Sequence, residues 1–272
     1  MEVEWAKMTA PQLRLVAGLP GAMAVLPVGA LEQHGPHLPV ITDMVEANVA
    51  AIEAAHRVSE TTPIAVLPPI WLGMSENMLP FGGTVSADYA AFSGMIRSVA
   101  RSLGALGFRR LLIVNGHGGN MSPLAVIVRE LSVEFSMAIG AATPWLLAAE
   151  EQGAVLESAT SVQHACEAET SLMLAIAHDL VVAEKIAEAS AGPGNPFNMP
   201  KGFSRAYSYA ELAPTSGVKG DPRSATAEKG RALLEIQARE LAKLIRDERL
   251  WTPPDPVWDR DRGLGSTSKG LG

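Results

Sequence analysis

A chain of 272 residues, 47% of them hydrophobic, can bury the core of one α/β domain and does not require a second. Its formal charge of −7 and pI near 5.4 exclude the clustered Lys and Arg on which binding to nucleic acid or an anionic membrane depends. The lone cysteine, Cys166, excludes an internal disulfide and fits a reducing compartment.

The acidic start Met1-Glu2-Val3-Glu4 lacks the basic and then apolar pattern of a signal peptide. No apolar run approaches the roughly 18 residues of a membrane helix, so the expected location is cytoplasmic.

Short β-rich runs alternate with longer segments of helical period, the pattern of a largely parallel sheet covered by helices. Strands are predicted over Ala22–Val28, Ile64–Leu67, Leu111–Val114 and Met137–Ala142. Helices are predicted over Val45–Arg57, Asp88–Leu106, Ser122–Phe135, Glu167–Ala177 and Ala225–Arg246. Ser86-Ala87-Asp88 reads as a helix start, because such side chains accept hydrogen bonds from free first-turn amides, and Gly107 reads as that helix's stop. Between Ala189 and Pro222, Gly, Pro, Asn and Ser predominate, so a long loop is expected there. Residues 145–163 and 190–220 are expected to line a pocket. The predicted organisation is one domain over residues 1–250 and an extended tail over 251–272.

Three polar clusters stand where strands hand over to loops or where helices begin, the usual ligand-binding rim of an α/β sheet. Glu32-Gln33-His34 follows the first strand; in extended chain Glu32 and His34 share a face and can reach one centre. Asp43 follows nine residues later, just ahead of a helix. Asn115-Gly116-His117-Gly118-Gly119-Asn120 follows the third strand, its glycines permitting close approach. His164-Ala165-Cys166-Glu167-Ala168-Glu169 opens a helix, in which Glu167 and Glu169 point about 200° apart. One ligand and one structural carboxylate are therefore expected from that pair. Imidazole with carboxylates suits zinc, manganese or iron, and the absence of paired cysteines argues against a purely structural zinc site.

The run from Pro27 through Glu32-Gln33-His34-Gly35-Pro36-His37-Leu38-Pro39 to Asp43 closely resembles the opening motif of the creatininase (creatinine amidohydrolase) family. The segments Asn115–Asn120 and His164–Ser171 resemble its second and third motifs. Leu79–Thr84 and Ser216–Pro222 also fall in family order, so the likeness spans roughly residues 20 to 245.

The resemblance implies a three-layer α/β/α fold with a mainly parallel sheet, a homo-oligomer that is often a hexamer, and two divalent metal ions per chain. Glu32 and His117 would hold one ion, His34 the other, and Asp43 would bridge. In creatininase a glutamate within the second motif completes the second metal site; Gly119 stands there in this chain, and Glu167 is expected to supply the missing carboxylate. Asn77 and Cys166 also depart from common family residues near the substrate side. The implied reaction is attack of a metal-held hydroxide on a small cyclic amide or formamide, with His164 protonating the departing nitrogen. Ser75 and Gly118 are expected to contact the substrate, and His37 to orient a carboxylate from behind.

Other members' chemistry extends to peptide ends and to cyclic ketone or lactone rings. A rival outside catalysis is a ligand-binding protein that cradles phosphate on the amides of Asn115–Asn120, although that loop lacks the P-loop lysine and the dinucleotide spacing. A second rival is a silent protein that has lost one metal through Gly119.

Overall fold

The computed structural model describes residues 1–189, 203, 205–213 and 215–254. Four parallel strands, β1 (Met23–Val28), β2 (Ile64–Val66), β3 (Arg110–Asn115) and β4 (Ala138–Ala142), form one sheet in the order β2-β1-β3-β4. β1 pairs with β3 along its whole length, from Met23 opposite Arg110 to Val28 opposite Asn115.

Among the described residues, seven α-helices accompany the sheet: α1 (Ala10–Ala17), α2 (Thr42–Val58), α3 (Tyr89–Leu106), α4 (Met121–Phe135), α5 (Ala149–Gly153), α6 (Glu167–Ile176) and α7 (Ala227–Arg246). Strand side chains alternate between faces, and both faces here are apolar. Ala24, Leu26, Leu111 and Ile113 pack with residues of α1, α3 and α4. Met23, Val25, Leu112 and Val114 pack with residues of α2 and α7 on the other side. The result is the three-layer α/β/α arrangement, in which each fully buried side chain such as Phe92 or Ile96 contributes about 1.5–3 kcal/mol.

Every predicted strand and helix is present, with ends that coincide or shift by up to three residues. Asp88 caps α3 by accepting from the Ala91 amide at 2.7 Å, and the Gly107 amide closes it on Leu103 O at 3.1 Å. α2 starts three residues earlier than the apolar period suggests. The Thr42 hydroxyl donates to Pro39 O at 2.7 Å, and Asp43 enters the first turn, where the positive end of a helix favours a carboxylate.

α1 and α5 were not anticipated, being short and outside the strand–helix alternation. Trp251, assigned to the tail, is buried beside Gly140, and its Nε1 donates to Leu244 O at 2.8 Å. The rest of the predicted tail, 255–272, and most of the loop after Ala189, residues 190–202, lie outside the described residues. No helix among the described residues is long and apolar enough to cross a membrane.

From β1 the chain passes through α2 to β2 on one side, then through α3 to β3 on the other. The crevice between the carboxyl ends of β1 and β3 is therefore the topological switch point, where open parallel sheets bind ligands. At that crevice the end of β3 rests on the first turn of α2: a Cβ on Gly116 would collide with the Asp43 carbonyl oxygen and crowd the Ala47 Cβ. Gly116→Ala is expected to lose about 1–3 kcal/mol by urea unfolding. Gly94→Ala on α3, with open space around it, should be neutral or gain about 0.5–1 kcal/mol. Equal midpoints for the two variants would show that the approach is not tight.

Candidate metal centre

Four segments converge on the crevice. The loop after β1 brings Glu32 and His34, the first turn of α2 brings Asp43, the end of β3 brings His117, and the start of α6 brings Glu169. One nitrogen or oxygen from each of Glu32, Asp43 and His117 lies within 4.8 Å of the others, and the same holds for His34, Asp43 and Glu169. Asp43 is common to these two groups, and Glu32, His34 and His164 form a third.

The two histidines are held by their outer nitrogens. His34 Nδ1 lies 3.2 Å from Glu32 O and His117 Nε2 lies 2.9 Å from Met74 O. A carbonyl oxygen only accepts, so each of these nitrogens carries the proton and donates. The inner nitrogens then turn lone pairs toward carboxylate oxygens. His34 Nε2 is 3.0 Å from Asp43 Oδ1, and His117 Nδ1 is 3.0 Å from Asp43 Oδ2 and 3.3 Å from Glu32 Oε1. Asn115 fixes His117 further: its Nδ2 donates to His117 O at 2.8 Å and its Oδ1 accepts from His117 N at 3.1 Å.

These approaches are close without being aligned as hydrogen bonds. Glu32 Oε2, His34 Nε2 and Asp43 Oδ2 are buried and have no hydrogen-bond partner, a condition that native interiors rarely tolerate. Protons or metal cations are what such an array demands. For His34, burial works against the charged imidazolium, but the Asp43 carboxylate overrides it and raises the pKa to about 10. His117 is likewise raised, burial being outweighed by Glu32 and Asp43. Burial pushes Glu169 up to about 7, with His34 opposing and Asp43 adding to the push. Glu46, one turn along α2 from Asp43, is raised by burial and then by Glu169 and Asp43. The carboxyl groups of Glu32, Asp43 and Glu169 around the inner nitrogens make a set suited to divalent cations, and the donors fit such ions.

α6 delivers one carboxylate to this cluster and sends the other away, as the helical angle requires, but with the roles opposite to those expected. Glu169 turns back along the helix start, accepting from the Ala165 amide. Glu167 points out of the cluster. It accepts from Lys229 Nζ at 2.5 Å, Ser158 Oγ at 2.6 Å and the amides of Glu157 and Ser158 at 3.0 and 2.7 Å. Gly119 leaves the loop after β3 without a carboxylate, and a Cβ there would strike Met74 O and His117 Nε2 as they now stand.

His164 precedes α6, with its ring centroid 4.3 Å from that of His34 and 5.1 Å from Tyr209. Its Nε2 lies 2.9 Å from Gln33 O and its Nδ1 3.5 Å from Glu32 Oε1. Burial, and next the neighbouring His34, lower its pKa to about 4, so the ring is neutral.

Ser75, expected on the substrate side, is instead fully buried behind His117, its Oγ 3.1 Å from His117 Nε2. His37 bonds no carboxylate; its Nε2 meets the Thr170 hydroxyl at 2.8 Å. Cys166 is buried, and that burial pushes its thiol up to about 12, which removes it as a nucleophile.

A cavity of about 310 Å³ opens from the cluster, lined by Asn77, Gly118, Trp145, His164, Tyr207 and Tyr209 among others. Gln33, which spaces Glu32 from His34 and donates to Gly217 O at 3.0 Å, was not singled out, nor were the tyrosines; a glutamine between two ligands was the only signal. A larger groove of about 1010 Å³ beside α4 and Leu250 contains none of these residues.

Comparison with known proteins places this geometry in context. A family model described as creatinine amidohydrolase (Creatininase) matches residues 6–245. A mycofactocin precursor peptide peptidase from Mycobacterium ulcerans (strain Agy99) is 33% identical over 85% of this chain and 86% of its own length. A creatinine amidohydrolase from Pseudomonas putida is 28% identical over 91% of this chain and 95% of its own. The crystal structure of a creatinine amidohydrolase (creatininase), 26% identical, covers 93% of this chain and 98% of its own with a TM-score of 0.75. Solved creatininases at 25% identity and the same TM-score include a mutant of Zn-Zn type and a manganese form, each covering 93% of this chain and 100% of its own.

The outward carboxylate carries its own prediction. Burial pushes Glu167 up, but the bonds from Lys229, Ser158 and Glu157 outweigh it and hold the carboxyl below its unperturbed 4.5. A carboxyl lowered by folding adds stability that is full above the unfolded value and is lost as pH falls through the folded one. Glu167→Gln should cost about 2–4 kcal/mol at pH 7 and flatten the acid limb of the stability curve. An unchanged acid limb in urea titrations from pH 7 to 3 would contradict this assignment.

Proposed function

The chain belongs to the creatininase family, and on that footing we propose that it hydrolyses an amide C–N bond using two divalent ions. Glu32, Asp43 and His117 would hold one, and His34, Asp43 and Glu169 the other. The observation that carries this reading is the set of buried, inward-turned atoms with no hydrogen-bond partner, Glu32 Oε2, His34 Nε2 and Asp43 Oδ2. Zinc and manganese are the first ions to test, since imidazole and carboxylate donors suit both.

When bound, such ions polarise a carbonyl oxygen and make a water acidic enough to react near neutral pH. The chain's own residues handle the protons. His164 is neutral at rest, and its Nε2–H donated to Gln33 O leaves Nδ1 free to take a proton beside Glu32 Oε1. The Glu32 carboxylate, itself held below its usual range with burial outweighed chiefly by His117, stabilises the imidazolium so formed. His164 then returns the proton to the departing nitrogen. Tyr209, edge-on to the ring, and the Gln33 carbonyl oxygen that accepts from Nε2–H fix its orientation.

Relatives named as a peptide peptidase and as a creatinine amidohydrolase share cleavage of an amide bond, so the substrate is an amide before it is a ring. A cyclic amide, a formamide and a peptide end are the branches a hydrolysis screen separates. A lactone tests the C–O alternative.

Glu169→Gln should bring bound divalent ion, measured by elemental analysis after metal-replete purification, from about two per chain to about one. Glu167→Gln should leave the count at two; the opposite pattern would return the ligand role to Glu167. His164→Ala should lower kcat about 10²–10⁴-fold with metal content intact. A loss below tenfold would remove His164 from proton transfer, and no metal bound by the parent protein would remove the hydrolase reading altogether.

A further inference from the structure

Lys219 stands directly across from His164. Its amide donates to His164 O at 2.8 Å, and the two residues form an antiparallel bridge. Opposed residues in an antiparallel pair send their side chains to the same face, and both line the 310 Å³ cavity. Lys219 is the only Lys or Arg among the described residues lining that cavity. Several other basic side chains are paired: Arg57 with Glu235, Arg110 with Glu248, Lys229 with Glu167, Arg239 with Glu151. Among the described residues, Lys219 has no side-chain hydrogen bond or ion pair.

That lack of a partner is informative because the same cavity is lined by Glu32, Asp43 and Glu169. A lysine placed to neutralise these acids would contact one of them. Lys219 instead stays at the exposed rim, where its charge is available to an incoming anion. Tyr207, Tyr209 and Trp145 line the same cavity and supply flat apolar surface beside it.

We propose that Lys219 selects substrates whose leaving amine carries a carboxylate, that is, N-acyl amino acids or peptides with a free carboxyl end. This deepens the amide-hydrolase reading and rests on it. The side of the substrate follows from the pairing with His164. The residue that protonates the departing nitrogen and the cation share one face of one bridge, so the anion they flank belongs to the departing fragment. Opposed Cα atoms in such a bridge are about 4.5–5.5 Å apart, and a lysine side chain adds reach of similar size. The carboxylate therefore sits one or two residues from the scissile nitrogen. Water adds across the C–N bond, the acyl fragment leaves as a carboxylate, and the amino acid leaves as a free amine held by Lys219.

The test compares N-benzoylglycine with N-methylbenzamide, which share the acyl group and differ in the carboxylate. Affinity for zinc-loaded protein is measured by calorimetry and turnover by release of benzoate. The parent protein should favour the acid at least tenfold in affinity, and where both are turned over the preference should lie in KM rather than kcat. Lys219→Met should bring the ratio to about one, and Lys219→Arg should restore most of it. Repeating the binding on metal-free protein separates Lys219 from the ions, which also attract carboxylates. A preference that survives Lys219→Met, or none in the parent, overturns the proposal. Lys219-dependent binding without turnover of any amide would fault the hydrolase reading alone, and amide turnover indifferent to Lys219 would fault this one alone.

Discussion

Asp43 offers one carboxylate oxygen to His34 and the other to His117, each at 3.0 Å, and its position is set by backbone rather than by side-chain choice. It lies in the first turn of α2, and the carbonyl of the same residue is pressed against Gly116 at the end of β3. The carboxylate that joins the two ligand groups is therefore fixed by the contact of a helix with a strand. Such a frame can hold several like charges near one another without collapse, which a site built on loops alone would not.

Two helix N-termini meet at this point. Asp43 is in the first turn of α2 and Glu169 in the first turn of α6, where free amides and the helix dipole favour a negative charge by about 0.3–1 kcal/mol each. That is far less than the cost of several buried carboxylates, as the upward push on Glu169 and Glu46 shows. The dipoles orient the acids and leave the charge to be balanced by cations. The outer nitrogens of His34 and His117 are already committed to carbonyl oxygens, so the inner ones meet a cation without a change of tautomer.

Much of this was legible because it follows from strand ends. Glu32, His34 and His117 follow apolar runs that can only be buried strands, and the parallel order β2-β1-β3-β4 puts the ends of β1 and β3 side by side. The choice between Glu167 and Glu169 was not legible, since it depends on where around α6 the cluster lies. The angle between them said that one would serve and one would not; the neighbours Lys229 and Ser158, distant in sequence, decided which. Ser75 was misread because polarity in a loop says nothing of whether the side chain faces the cavity or the back of a histidine. Lys219 lies in the Ser216–Pro222 segment, but nothing in that segment places it opposite His164, because that pairing is made by a single bridge between segments over fifty residues apart.

Gly119 ties these points together. Sequence alone makes it look like a loss, a missing carboxylate in the loop after β3. In the folded chain the space beside it is taken by His117 Nε2 and Met74 O, the pair that fixes the histidine's tautomer. A side chain there would compete with the hydrogen bond that turns His117 inward. The loop stays bare, and the carboxylate beside His34 and Asp43 is Glu169 of α6. Gly118 faces open space in the same cavity that His164 and Lys219 line, so the bare loop leaves backbone rather than a side chain at that part of its surface.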